Sequence, residues 1–320
     1  MLALVPVSGE ILDRVLGATH LIWNDGLSLQ AFGQLHTARM RTGWARRHLR
    51  HVALVDGAGL RASAVRYEFE GMLDGRTVRL CGIGSVFTQP EHRGRGHATA
   101  LVERLLDDAT RDGADLALMF AGSDVAFPIR HGFSIIPTTD ATITVAEPVR
   151  YGAPMTLIRG GEERDYAAVV AMGRTRAVPY RFHLDRDLDL VQHAITRRRL
   201  VAGLGPAGAR ELQFFIAEEC ITAAAYVVLS VAGDAWTLEE CGDRDVTGAR
   251  VGAILQALIA RAPVERRPTI RGWLPPGFSP PQVSLSAAPS AVTMLVKPLR
   301  GGSPAALDGR DVLYWCSDIF

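Results

Sequence analysis

The sequence predicts a mixed α/β fold, with a central mixed sheet flanked by helices and a layout that recurs along the chain. Three observations carry this. The strand-like run TVRLCGIGSVF at 77–87 leads through a glycine-bearing turn into a helix, and then into ADLALMF at 114–120, apolar enough for a strand buried on both faces. Just before it, HVALVDGAGLRASAVRYEFEG sets two strand-like runs around Asp56-Gly57-Ala58-Gly59, a short connection of the kind that closes hairpins. The order hairpin, strand, loop and helix then returns over residues 211–262.

Taken in order, residues 2–6 read as a short strand. Residues 10–46 mix apolar and polar positions at helical spacing, which predicts two helices parted near Asn24-Asp25-Gly26. In the helix after the glycine turn, Ala98, Leu101, Leu105, Leu106 and Ala109 recur at helical intervals and predict one inward face, with Gly113 as its stop. A short helix over 124–132 and extended chain through FSIIPTTDATITV complete the first half. The Pro-bearing stretch from Glu147 to Pro154 is the expected boundary, giving domains of 1–148 and 149–320. Beyond it, 161–200 read as mostly helical, ELQFFIAEE, ITAAAYVVLSV and WTLEECG as strands, and ARVGAILQALIARA as a helix.

Composition narrows the function. Hydrophobic residues at 48% and charged residues at 22% describe an ordinary globular protein. The 35 Lys and Arg nearly cancel the 34 Asp and Glu, so no global field draws the chain to nucleic acid or an anionic membrane, and any anion site must be local. Cys81, Cys220, Cys241 and Cys316 have neither zinc-site spacing nor a disulfide framework; no metal and a reducing cytoplasm are expected. The start MLALVPVSGEILDRV has Glu10 and Asp13 close behind a short apolar run, unlike an export signal, and no apolar run approaches the ~18 residues of a membrane helix.

Chemistry enters at Arg93-Gly94-Arg95-Gly96-His97-Ala98, between a strand and the first turn of a helix. Several backbone N–H groups can converge there on one anion. Gly94 and Gly96 let the chain approach it closely, and the helix N-terminus adds a partial positive charge. A pyrophosphate-bearing ligand fits. The spacing argues against the dinucleotide fingerprint G-x-G-x-x-G and against the nucleoside-triphosphate loop that ends in Gly-Lys and Ser or Thr.

Arg93, Gly96 and Ala98 follow the order Arg or Gln, two residues, Gly, one residue, Gly or Ala, and here the sequence resembles the GNAT (GCN5-related N-acetyltransferase) superfamily. The likeness covers residues 75–133, including Ser85-Val86-Phe87-Thr88, Pro90 and the closing Arg130-His131-Gly132-Phe133. It implies the acyl-CoA N-acyltransferase (GNAT) fold, in two tandem copies, with acetyl-CoA as cosubstrate. The pyrophosphate would sit on the amides of Gly94, Arg95, Gly96, His97 and Ala98 beside Arg93. The pantetheine arm would pair with Val86, Phe87 and Thr88, slotted where this strand and the strand at 114–120 splay apart. The thioester would lie near residues 83–88 and 120–124.

The family's usual acid and base are missing. The strand LCGIGSVFT holds no carboxylate to deprotonate an ammonium, and Pro128 stands where many members carry a Tyr that protonates the thiolate. Substitutes are Ser123 and Asp124 after the buried strand, Tyr67 on the neighbouring hairpin, and the terminal carboxylate of Phe320. The last follows from a resemblance to tandem GNAT enzymes of the enhanced-intracellular-survival type, which use their terminus as a base. Ser123, Asp124 and Tyr67 each have a plainer reading as a cap, turn or strand residue. The apolar tail DVLYWCSDIF reads as a docked strand.

The second copy is degenerate. Arg244 precedes Gly248 by four residues where the signature requires three, and Asp243 and Asp245 place negative charge where phosphates would lie. WLPPGFSPPQV is a rigid connector or a wall for the acceptor pocket, and Arg197-Arg198-Arg199 a solvated helix end. The resulting reading is an N-acetyltransferase moving the acetyl group of acetyl-CoA to a primary amine of a small molecule or amino acid, the Val86 and Phe87 amides stabilising the oxyanion. Similarity to fungal lysine N-acetyltransferases around Ser85 to Ala98 suggests lysine. The alternative is a non-catalytic acyl-CoA-binding or sensing protein. Neither nucleic acid nor membrane is an expected partner, and a homo-oligomer is compatible with both readings.

Overall fold

The computed structural model describes residues 2–57, 59–122, 124–146, 157–263, 267–300 and 307–320. The chain divides into two units. Residues 1–138, 292–308 and 320 form the first, and residues 139–291 with 309–319 the second.

In the first unit, β1 (Leu2–Pro6) is followed by α1 (Gly9–Trp23), α2 (Leu29–Met40) and α3 (Gly43–His48). The helical stretch thus breaks twice. The first break is the expected one, where Asn24 Oδ1 accepts from the Gly26 amide at 2.7 Å. The second is at Thr42, whose hydroxyl accepts from the Ala45 amide at 3.3 Å and starts α3, a cap that apolar periodicity does not reveal. Next come β2 (Leu49–Asp56), β3 (Gly59–Leu73) and β4 (Arg76–Thr88), an antiparallel meander. Asp74 and Gly75 both take positive φ (50° and 75°), the geometry that matches a two-residue turn to strand twist.

After β4, α4 (His97–Arg111) leads to β5 (Leu116–Ala121), α5 (Ala126–Arg130) and β6 (Ser134–Ile136). The expected inward face of α4 is buried at Leu101, Leu105, Leu106 and Ala109, with Val102, against Ala62, Ala64 and Ile83 of the sheet. The opposite sheet face packs Ala53, Val55 and Leu60 on Val15 of α1. The sheet closes with a strand from far along the chain, β15 (Thr293–Pro298), antiparallel to both β5 and β6; the order is β1-β2-β3-β4-β5-β15-β6.

In the second unit the chain runs β7 (Asp140–Val145), β8 (Leu157–Gly160), α6 (Tyr166–Ala177), β9 (Phe182–Leu184), α7 (Leu188–Leu204), β10 (Glu211–Glu219), β11 (Thr222–Ala232), β12 (Ala235–Asp243), α8 (Ala249–Ile259), β13 (Thr269–Gly272) and β14 (Val283–Ala288). Its sheet order is β14-β7-β13-β12-β11-β10-β8. A short β16 (Val312–Leu313) runs parallel to β9. Helices α6 and α7 bury Val169, Met172, Val191 and Ile195 against Ile216 and Val228.

The two sheets correspond strand for strand. The place that β15 takes beside β5 is the place that β7 takes beside β13, so the extended chain after β6, expected to finish the first half, completes the second sheet instead. A six-residue alternating strand carries no mark of which sheet it will complete. The boundary expected at 148–149 lies outside the described residues. No helix among the described residues is long and apolar enough to cross a membrane.

Candidate functional site

The loop 93–98 is built for close approach. Gly94 (φ 74°) and Gly96 (φ 77°) occupy the left-handed region, where a side chain is strained, and Gly96 is the N-cap of α4. A side-chain carbon at either position would meet nothing within 4 Å, so both face open space. Among the described residues no side chain accepts from the first-turn amides of α4. These amides point where an anion would be held.

Basic groups surround this helix start. Arg61 of β3 contacts the His92 ring and pairs with Asp56 at 3.6 Å. His92 meets His97 edge to face at 6.0 Å. Burial, with the nearby His92, Arg61 and Arg95, lowers the pKa of His97. Arg93 braces the loop, its Nε reaching the Thr88 carbonyl at 3.4 Å.

The strand before the loop is irregular where the expected thioester would lie. Ser63 faces Phe87 and Val65 faces Gly84, so Ser85 and Val86 together oppose Ala64 in a bulge, with Ser85 at φ 51°. On the other side, β4 pairs with β5 only from Leu80–Leu116 to Gly82–Leu118. Beyond Gly82 the ladder ends, leaving the edge through Val86, Phe87 and Thr88 free of β5.

Against this strand lies Phe320. A side-chain carbon at Gly82 would stand 2.6 Å from its Cζ, and one at Gly84 would stand 3.0 Å from Cδ2 and 3.2 Å from its main-chain oxygen. The ring lies tilted against Tyr67 (4.3 Å between centroids) and meets Phe120 edge to face at 5.3 Å. Phe320 and Tyr67 are therefore brought together beside the bulge. Sequence reasoning missed Gly82 and Gly84, although paired glycines inside a strand are a known sign of close approach by other atoms.

The other catalytic candidates are placed differently. Asp124 is exposed, and its Oδ1 accepts from the Ala126 amide at 3.2 Å, a local turn contact two residues along, just ahead of α5. Ser123 lies outside the described residues. Pro128 is buried within α5 and offers its carbonyl to the amides of His131 (3.0 Å) and Phe133 (3.2 Å).

The equivalent loop of the second unit is filled by its own side chains. Gly248 is the N-cap of α8 at φ 74°, the counterpart of Gly96. Here a side-chain carbon would collide with the Phe278 ring at 2.6 Å and with Pro280 at 3.2 Å, and Arg176 covers that ring at 4.0 Å. The buried Asp243 carboxylate accepts from the Arg250 amide (2.9 Å) and the Asp245 amide (2.9 Å) and pairs with the Arg250 guanidinium at 3.1 Å. An internal carboxylate thus takes the anion's position at this helix start. The proline-rich connector covers its own unit's loop.

The run Arg197-Arg198-Arg199, expected as a solvated helix end, needs correction. Arg197 donates to the carbonyls of Ser317 (3.2 Å) and Ile319 (2.8 Å). Arg198 donates to Cys316 O at 3.1 Å and pairs with Glu239 at 2.9 Å, and Arg199 reaches the Tyr166 hydroxyl at 3.1 Å. The same segment is held by Arg186, paired with the buried carboxylates of Glu240 (2.6 Å) and Asp318 (3.0 Å). The clamp fixes residues 316–319, immediately before Phe320. Charge runs look solvated in a sequence because their carbonyl partners are invisible there.

A family model described as an acetyltransferase (GNAT) domain matches residues 26–136. No curated protein matches the chain. Among solved structures, a conserved protein of unknown function from Enterococcus faecalis superposes with a TM-score of 0.67 at 15% identity, covering 93% of this chain and 72% of that one. A GCN5-related N-acetyltransferase from Kribbella flavida gives 0.66 at 19% identity, covering 93% and 71%. Eis1 from Mycobacterium abscessus gives 0.59 at 15%, covering 93% and 74%. At these identities the likeness concerns the fold, which spans both units.

Proposed function

The chain belongs to the GNAT superfamily, whose reaction is acyl transfer, and from that premise we propose that it moves the acetyl group of acetyl-CoA onto a primary amine of a small molecule or an amino acid. The observation that carries this reading is the uncapped start of α4 behind Gly94 and Gly96, opening beside the free edge of β4. Oriented amides, two unobstructed glycines and the basic groups Arg61, Arg93 and Arg95 suit a pyrophosphate. The freed edge at Val86, Phe87 and Thr88 suits an extended amide-bearing arm. The amides near the Ser85–Val86 bulge supply donors for charge developing on the thioester oxygen.

The proton acceptor we assign is the carboxylate at Phe320, whose main-chain oxygen lies against Gly84. It takes a proton from the ammonium, the amine nitrogen bonds to the acetyl carbon, and the carbon–sulfur bond breaks. The nitrogen's second proton goes to the departing sulfur, which leaves as a thiol, and the carboxylate returns the first to solvent. Asp124 holds the turn ahead of α5 in this scheme. The second unit contributes no cofactor loop, since Asp243 and Phe278 occupy its equivalent.

The test is release of free thiol from acetyl-CoA in the presence of a panel of small amines and amino acids, with the acetylated product identified by mass. Amine-dependent release supports the reading. Tight acetyl-CoA binding with no release above hydrolysis across the panel would favour the binding-protein alternative.

A further inference from the structure

On the sheet face that carries Phe320 there is a second group of side chains that the proposed transfer does not use. Arg39 of α2 donates from Nη2 to His51 Nε2 at 3.1 Å, which makes that nitrogen the acceptor. The His51 ring meets His36 edge to face, 4.4 Å between centroids. Burial first, then the charge of Arg39, holds His36 uncharged, with its pKa lowered to about 4; the same causes, with His36 added, lower His51 to about 2. The positive charge of the group therefore rests on Arg39 alone.

Among the described residues that charge has no counter-ion. Among the described residues no carboxylate pairs with Arg39, α2 contains no Asp or Glu, and the Nε of Arg39 is buried without a hydrogen-bond partner. A half-buried guanidinium whose only partner is a neutral imidazole is unfavourable by itself. The arrangement is reasonable for a group that meets an anion in use, and the planar fork of arginine matches a carboxylate.

Register places this group relative to the transfer site. His51 faces Val65 and Val65 faces Gly84, so the three stand in one cross-strand row and project to the same face. Gly84 is the residue against which the main-chain oxygen of Phe320 lies. Two strand spacings separate the ends of the row, ~10 Å.

We propose that Arg39, oriented by His51 and His36, binds a carboxylate on the acceptor, so that the substrate class is an amine carrying a carboxylate several bonds from its reacting nitrogen. This rests on the transfer reaction proposed above. Amino acids with a side-chain amine meet the description.

The experiment compares L-lysine with its carboxamide as acceptors for wild type, Arg39→Gln and Arg39→Lys. Wild type should prefer lysine. Arg39→Gln should raise KM for lysine tenfold or more with kcat little changed, leave the carboxamide unaffected, and melt no lower than wild type because an uncompensated charge is removed. Arg39→Lys should restore part of the preference. Equal losses for both acceptors, or no loss, would overturn the proposal. Calorimetry with each acceptor, without thioester, separates the two claims. Lysine binding that exceeds carboxamide binding and disappears in Arg39→Gln sustains the carboxylate site even if no amine is acetylated. Equal binding of both compounds rejects it even if transfer is observed.

Discussion

A side-chain carbon at Gly84 would stand 3.2 Å from the main-chain oxygen of Phe320, so any side chain at position 84 pushes Phe320 back by at least a few tenths of an ångström. Gly84→Ala should displace Phe320 while leaving loop 93–98 intact. Turnover is expected to fall on the order of 10²-fold, the loss typical of a removed general base, with acetyl-CoA affinity retained by calorimetry. Deleting Ile319 and Phe320 should give the same split in a protein that still melts cooperatively, whereas Asp124→Ala should keep its kcat. Full activity in both the Gly84→Ala and the deletion variants would remove Phe320 from the mechanism.

At the loop, Gly96→Val introduces a branched side chain at φ 77° into space that is open in the free protein. Acetyl-CoA binding should weaken tenfold or more, about 1.4 kcal/mol, because the side chain occupies the approach to the α4 amides. A folded variant with undiminished affinity would place the cofactor elsewhere.

How much of this was legible in the sequence depends on the range of the contacts concerned. The glycine loop, the apolar face of α4 and the β2–β3–β4 meander rest on neighbours a few residues apart, and periodicity and turn chemistry show them. The exchange of β7 and β15 between sheets does not, since either strand satisfies either edge. Of the nearness of Tyr67, Gly84 and Phe320, the tail's apolarity showed only that the tail docks; Gly82 and Gly84 went unrecognised as the place it docks against, because a glycine inside a strand does not say which distant atoms approach it. The pairing of His51 with Arg39 needs an inter-element register that no local pattern encodes.

In the second unit, the Asp243 carboxylate already satisfies the amides that a phosphate would use, and Phe278 and Pro280 cover Gly248. Titration should give one acetyl-CoA per chain. Asp243→Ala should leave buried amides and the Arg250 guanidinium short of their acceptor and destabilise the protein by roughly 1–3 kcal/mol without creating a second site. Two equivalent sites per wild-type chain would contradict the assignment of Asp243 as an internal substitute for the anion.

The half-buried pair His36 and His51 makes stability depend on pH in a window set by their values. Unfolded, His36 and His51 titrate near 6.5; folded, they stay uncharged down to about 4 and about 2. The unfolded chain therefore binds more protons as pH falls below 6.5, so stability is complete above that value and declines beneath it. The slope approaches roughly 1.4 kcal/mol per pH unit for His51 and less for His36, whose partial exposure screens it. Urea titrations between pH 6.5 and 5 keep most carboxylates ionised and isolate this effect. His51→Gln should flatten the dependence, and an unchanged slope would assign it to other groups. A carboxylate bound at Arg39 would offset the repulsion that contributes to both shifts. Saturating lysine should then raise the imidazole pKa values seen by NMR in wild type but not in Arg39→Gln, and identical titrations in the two proteins would separate the histidines from the acceptor site.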